Sequence, residues 1–350
     1  MTLDGGHAPG PADLDALDRR ILRLLRDDGR RPNAEIARAV GVSVPTVRKR
    51  LDRLRENGVL RIIGLLDPAA TGFPVYAMIG IRVKPGVVRE VGRRLAAMGC
   101  VAYVGYTTGR FDIITEAMLE SNEALHIFLV ESLGSISGIN SVEAFNVLAF
   151  DKFNYMWDLP DPSQDWREKR RSPSENGLAA AKATRNASEG RRAAGPADLD
   201  ALDRQILRLL RDDGRRPNAD IARAVGVSEP TVRKRLDRLR ESGVLRVIGL
   251  LDPAATGFPV DVLIGIQITA GLAWEVGRRL AAMDCVAFVG YTTGRYNIVI
   301  EAVFADNRDL LDFLGDTLGT IEGISATETF NVLDTEKFNY MWDLPDGPGG

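Results

Sequence analysis

Two runs of basic residues carry the chemistry this chain most openly offers. Thr46, Arg48, Lys49, Arg50 and Arg53 form the first, and Thr231, Arg233, Lys234, Arg235 and Arg238 repeat it. At 3.6 residues per turn, Val47, Leu51 and Leu54 share one face, Thr46, Lys49 and Arg53 lie roughly opposite, and Arg48 and Arg50 flank them. Such side chains neutralise phosphates, and Arg or Lys donates to guanine O6 and N7. A helix that is apolar on one side and cationic on the other suits a major groove. The formal net charge is −3, so any nucleic-acid binding must rest on a local patch of this kind.

The elements that would position these residues are helical. Asp13 is placed to cap a helix carrying Leu14, Leu17, Ile21, Leu24 and Leu25, and Gly29 ends it. Pro32 and Asn33 open a second helix with Ile36, Ala37 and Val40 inward, stopped by Gly41. Ser43 caps the third, basic helix, with Pro45 in its first turn. Val59 to Leu66 reads as a strand-like wing. A short helix, a turn and a basic helix make a helix-turn-helix pattern.

Residues 67–161 alternate differently. Val75–Val83, Val101–Tyr106, Phe111–Leu119 and Ser141–Phe150 read as strands, and Val87–Met98 and Asn122–Leu133 as helices. The order βαββαβ is ferredoxin-like. Everything from Pro11 to Asp161 recurs from Pro196 to Asp346 in unbroken register. The expected fold class is α+β: two tandem copies of a winged helix-turn-helix domain followed by a ferredoxin-like βαββαβ domain. The expected boundaries are a disordered tail over 1–10, helical domains over 11–66 and 195–251, βαββαβ domains over 67–161 and 252–346, and a flexible linker over 162–194. The linker is rich in Pro, Ser, Gly and charge, without apolar periodicity.

The motifs LDxxDRxIL, DGRxxNAEIA, GVSxPTVRKRLxRLxxxGVL and TGRFD stand in order, and the chain resembles the Lrp/AsnC family of feast/famine regulators. The resemblance implies a DNA-binding domain, a domain that dimerises through its sheets and binds an amino acid or other small effector, and assembly of several chains. It also implies an effector site at a Gly-x-x-Asp turn and a Thr-x-Thr in the last strand. The first copy has Gly109 and Asp112, but its last strand reads Val142-Glu143-Ala144. The second has Gly294 and Asn297, with Thr327 and Thr329. A carboxylate can pair with an ammonium, whereas an amide can only hydrogen-bond. A complete site would therefore join Asp112 and Gly109 to Thr327 and Thr329 across a module interface. The copies differ little in their helical parts, the one non-conservative change there being Val44 against Glu229, and much more in their βαββαβ parts.

Other classes are disfavoured. No apolar run reaches the ~18 residues needed for a membrane span, and the start has no secretory h-region. Cys100 and Cys285 stand alone, as expected for a disulfide-free cytoplasmic protein. No phosphate loop, metal-spaced Cys/His set or Ser/His/Asp arrangement appears, so no cofactor, metal or catalytic residue is expected. Sirohaem decarboxylases resemble the same two-domain plan and are the enzymatic alternative. They use His in the second domain, where this chain has His126, replaced by Leu311 in the other copy. A nucleoid-organising protein is a further alternative.

Overall fold

The computed structural model describes residues 12–153 and 171–338. The expected tail over 1–10, the expected linker up to residue 170 and the last residues of both repeats lie outside them. In chain order, the first copy runs α1 Ala16–Asp27, α2 Asn33–Val40, α3 Val44–Glu56, β1 Leu60–Leu66, β2 Val75–Val83, α4 Val88–Ala96, β3 Val101–Thr107, β4 Ile113–Leu119, α5 Asn122–Ile127 and β5 Ile139–Phe153. Helix α6, Glu175–Ala194, follows. The second copy runs α7 Ala201–Asp212, α8 Asn218–Val225, α9 Glu229–Glu241, β6 Leu245–Leu251, β7 Val260–Ile268, α10 Ala273–Ala281, β8 Val286–Thr292, β9 Ile298–Phe304, α11 Asn307–Asp312 and β10 Ile324–Phe338.

Like parts of the two copies fold together. One unit joins the described residues up to Gly72 with Gly195–Gly257; the other joins Phe73–Ala194 and the residues from Phe258 onward. In the helical unit, the strand expected to be a wing pairs across the copies, β1 antiparallel to β6. Ile63 faces Ile248, its own counterpart in the repeat, so a pseudo-two-fold axis passes between them. Gly29 donates its N–H to the Val247 carbonyl at 2.8 Å, and Gly214 does the same to Ile62. A Cβ on Gly29 would stand 2.9 Å from the Ile248 backbone, so the close approach needs glycine. Arg215 reaches across to the Gly29 carbonyl at 2.7 Å and Asn33 Oδ1 at 2.9 Å, and Arg30 bonds Asn218 Oδ1 at 2.9 Å in return.

Each helical head packs Ile21, Leu22, Leu25, Ile36, Val47, Leu51 and Leu54, or their counterparts, into its own core. The N-cap of α1 is Asp15, not Asp13. Asp15 and Asp18 form a reciprocal capping box, each side chain accepting from the other's backbone N–H. Asp13 precedes the first turn and is exposed. The cap signal was displaced by two residues because three acids stand close together in this stretch.

The second unit is a closed barrel of eight strands in the order β10-β3-β4-β2-β5-β8-β9-β7. Period-two alternation puts Ala77, Ile79, Ile81 and Val83 against the helices, with Val91, Leu95, Leu125 and Phe128. The long strands join the copies. The first half of β5 pairs with β2 of its own copy and the second half with β8 of the other; β10 does the same with β7 and β3.

The flexible-linker reading is corrected for residues 175–194, which form α6 and pack on the barrel. Ala181 of this helix joins the apolar cluster of the second copy, and a polar anchor adds to it. Arg185 Nε meets Asp151 Oδ1 at 2.7 Å, Tyr291 donates its hydroxyl to the same carboxylate, and the guanidinium lies 4.3 Å from the Trp274 ring centroid. Gly177 lets the helix approach, since a Cβ there would be 2.5 Å from the Ala282 carbonyl oxygen. In the other copy Arg89 stands where Trp274 does. It lies over Tyr106 and pairs with Asp334 at 3.0 Å.

Candidate functional site

Helix α3 takes its direction from Ser43, whose side chain accepts the Thr46 N–H at 3.3 Å and also contacts the Thr46 hydroxyl at 2.8 Å. Val47, Leu51 and Leu54 are buried, and this seats the helix on its head. Arg48 and Lys49 are exposed and make no hydrogen bond or ion pair among the described residues. Lys234 is likewise exposed and unpaired in α9. Arg233 differs from Arg48, because Glu229 accepts from its Nη2 at 3.4 Å.

The remaining basic residues are engaged within the head. Arg50 meets Asp15 and Asp18, and Arg53 meets Asp18, whose side chain is 0% exposed. Arg235 and Arg238 repeat this with Asp200 and Asp203. Burial alone would raise the Asp15 carboxyl, but the Asp18 amide and the Arg50 guanidinium hold it below its ordinary value. Bonding to Asp15, with Asp18 adding to it, in turn raises Arg50 against desolvation. These arginines fasten the recognition helix to α1. Thr46, Arg48 and Lys49, with Thr231, Arg233 and Lys234, remain on the side away from the core.

The barrel places the second set of candidates on two related turns. Gly109 adopts φ 95° and Gly294 φ 90°, a region that favours glycine. Asp112 Oδ2 accepts the Val83 N–H at 2.8 Å, and Asn297 Oδ1 accepts the Ile268 N–H at 2.7 Å. Acid and amide thus perform the same backbone bond in the two copies, and Asp112 has one carboxylate oxygen beyond it. Each turn rests on the last strand of the other copy. Thr108 donates to the Asn331 carbonyl at 3.0 Å, and a Cβ on Gly109 would lie 3.4 Å from the Thr329 carbonyl oxygen. Gly109 and Thr329 are therefore brought together across the copies. Among the described residues no hydrogen bond joins Asp112 to Thr327 or Thr329.

The turns also gather groups that sequence reasoning passed over. Arg110 and Arg295, one from each copy, converge on Glu143 at 3.4 and 3.1 Å. Glu328, its counterpart, accepts the Tyr296 hydroxyl, and burial together with that carboxylate pushes the phenol up. Phe111, Phe145, Tyr296 and Phe330 pack against one another at 5.2–6.2 Å between ring centroids. The sequence signal for Glu143 and Glu328 is the acid at the centre of Val142-Glu143-Ala144 and Thr327-Glu328-Thr329. His126 is exposed on α5. Among the described residues no group of three His, Cys, Asp or Glu could hold a metal, and no helix is long and apolar enough to cross a membrane.

Paired helix-turn-helix heads and a paired ferredoxin-like barrel define a two-headed helix-turn-helix protein. The AsnC-type helix-turn-helix domain matches residues 14–55 and 199–240, and the Lrp/AsnC ligand binding domain matches 76–152 and 261–342. The chain belongs to the Lrp/AsnC family of transcription regulators, with both domains present twice. An uncharacterised HTH-type transcriptional regulator of Pyrococcus furiosus is 40% identical over 143 residues, spanning 41% of this chain and 97% of the relative. The regulatory protein AsnC of Haemophilus influenzae is 33% identical over 134 residues, spanning 38% of this chain and 89% of the relative. Each such relative thus matches about one of the two copies. Among solved structures, the siroheme decarboxylase NirDL covers 94% of the chain and is itself covered to 95%, with a TM-score of 0.56 and 16% identity. That likeness concerns the fold alone.

Proposed function

We propose that this chain is a sequence-specific DNA-binding regulator whose two heads address paired half-sites on one duplex. The observation that carries this reading is the pair of recognition helices in one unit. Each is fastened from behind by an Asp–Arg brace, so that Thr, Arg and Lys side chains remain outward. Paired heads of this kind usually meet half-sites about 34 Å, one helical turn, apart or a multiple of it. Reversing charge at Lys49 and Lys234 together abolishes operator retention in a gel-shift titration. Intact binding by that double variant refutes the assignment. A specific-to-nonspecific affinity ratio near one in the same titration would instead favour a nucleoid-organising role.

The barrel turns are the proposed effector sites, with an amino acid as the ligand class. Gly109 against Thr329, with Asp112 behind the turn, supports a site shared between the copies. Asp112 holds the ligand ammonium with its second oxygen, and Thr327 and Thr329 bond the carboxylate. In the related turn, Gly294 and Asn297 face a last strand without these hydroxyls. Calorimetry against an amino-acid panel tests this: Asp112→Ala and Thr327→Ala each remove binding of the same ligand, whereas Asn297→Ala leaves it. The opposite pattern refutes the shared site.

A further inference from the structure

The two recognition helices differ at one residue. Val44 opens α3 and Glu229 opens α9, while Pro45–Glu56 is repeated without change as Pro230–Glu241. Between residues 11–66 and 196–251 the other differences are Arg20 against Gln205, Glu35 against Asp220, Asn57 against Ser242 and Ile62 against Val247, all off these helices. Packing does not account for the change, because Val44 is 43% exposed and the Glu229 side chain 46%.

The surroundings differ with it. In α3 an apolar side chain stands one turn before Arg48, which has no partner among the described residues. In α9 a carboxylate stands there and accepts from Arg233 at 3.4 Å. One head thus offers methyl groups beside an unengaged guanidinium. The other offers carboxylate oxygens beside a guanidinium already turned toward them. In helix-turn-helix proteins the N-terminal residues of the recognition helix contact base edges. Methyl groups suit the thymine C5 methyl, and a carboxylate accepts from cytosine N4. Facing guanine O6 and N7 or thymine O4, a carboxylate meets only acceptors.

Resting on the DNA-binding reading above, we propose that the two heads of one chain read different base pairs at this position: Val44 reads thymine and Glu229 reads cytosine. The preferred operator is then an imperfect palindrome, and the chain sits on it in one orientation. The pseudo-two-fold through Ile63 and Ile248 sets the pairing of the heads, while residues 44 and 229 break its symmetry in recognition.

Selection of the full chain against a randomised duplex pool tests this, with Val44→Glu and Glu229→Val as variants. Each installs the residue the other copy already carries at an exposed site, so both should fold. The unaltered chain should enrich half-sites that match except at one base pair. Val44→Glu should prefer cytosine in both arms and Glu229→Val thymine in both, with the discrimination shifting by about 5–100-fold. Enrichment of a perfect palindrome by the unaltered chain, or one preference shared by all three proteins, overturns the asymmetry while leaving DNA binding in place. Failure of the unaltered chain to enrich any duplex overturns the DNA-binding reading and this inference with it.

Discussion

Asp18→Ala tests whether α3 is fastened to α1 by charge. The Asp18 carboxylate is completely buried. It accepts the Asp15 N–H at 3.2 Å, Arg50 Nη1 at 3.1 Å on both oxygens, and Arg53. Losing the helix-start bond costs about 1 kcal/mol. The hydrogen bonding to the two guanidinium groups contributes about 1.5–3 kcal/mol for each arginine. The arginine side chains are 27% and 43% exposed, so both can turn back to water, and much of that second contribution is recovered. The expected net loss is about 2–4 kcal/mol, short of the ~3–5 kcal/mol for stranding a fully buried partner. Urea unfolding of the full chain, followed by helical circular dichroism, measures it. A double-mutant cycle with Arg53→Ala separates ion pairing from capping. A loss below about 0.5 kcal/mol, or a coupling energy near zero between Asp18 and Arg53, would refute the brace.

Other outcomes follow from the same structure. Arg185→Ala removes the cation on the buried Asp151 carboxylate, leaving it the Tyr291 hydroxyl, and should destabilise the barrel by about 3 kcal/mol, with proteolysis within α6 accelerated; an unchanged denaturation midpoint would count against docking of α6. Gly29→Ala and Gly214→Ala should each loosen the β1–β6 ribbon, seen as faster amide exchange at Ile62 and Val247, because a Cβ there meets backbone at 2.8–2.9 Å. Burial, with Asp261 and Glu116 nearby, raises the Glu301 carboxyl well above its ordinary value. The unfolded chain then releases this proton at lower pH than the folded one, so stability falls as pH rises from the ordinary carboxylate range toward the folded value. Glu301→Gln should flatten that decline in melting scans from pH 5 to 8, and a slope unchanged from the parent would refute it. Asp15 and Asp200 act with the opposite sign: both are held below their ordinary value, so their contribution is present above that value and lost on acidification.

Local signals were the legible ones. The glycines after α1 and α2, the Ser43 cap and the period-two strands were readable because each depends on residues within a few positions. What escaped depends on distant partners. Arg53 reads as groove-facing and Arg50 as flanking because nothing nearby in sequence competes for them; their partners Asp15 and Asp18 come from the start of α1. The last residues of β5, Asp151–Phe153, were not legible because Asp151 and Lys152 interrupt the apolar pattern, and they continue the pairing with β8 of the other copy. Helix α6 carries good helix formers in Leu178-Ala179-Ala180-Ala181-Lys182. It lacks a row of large apolar residues because the small Ala181 and the anchored Arg185 seat it. At the two turns, the strand N–H that Asp112 and Asn297 each accept was not legible because it lies 29 residues away in sequence.

Joining Ile63 to Ile248 within one polypeptide changes how the reading heads respond to abundance. In a pair of separate subunits, dilution dissolves the partnership, and head-to-head pairing rises with the square of the subunit concentration. Here the partner is supplied by the same molecule, at the effective concentration of a tethered domain. Pairing of the heads is then independent of expression level, so even scarce molecules arrive at DNA with both heads in place. Within one chain each half meets the other half rather than a copy of itself, so the two faces of the pseudo-dimer are free to diverge.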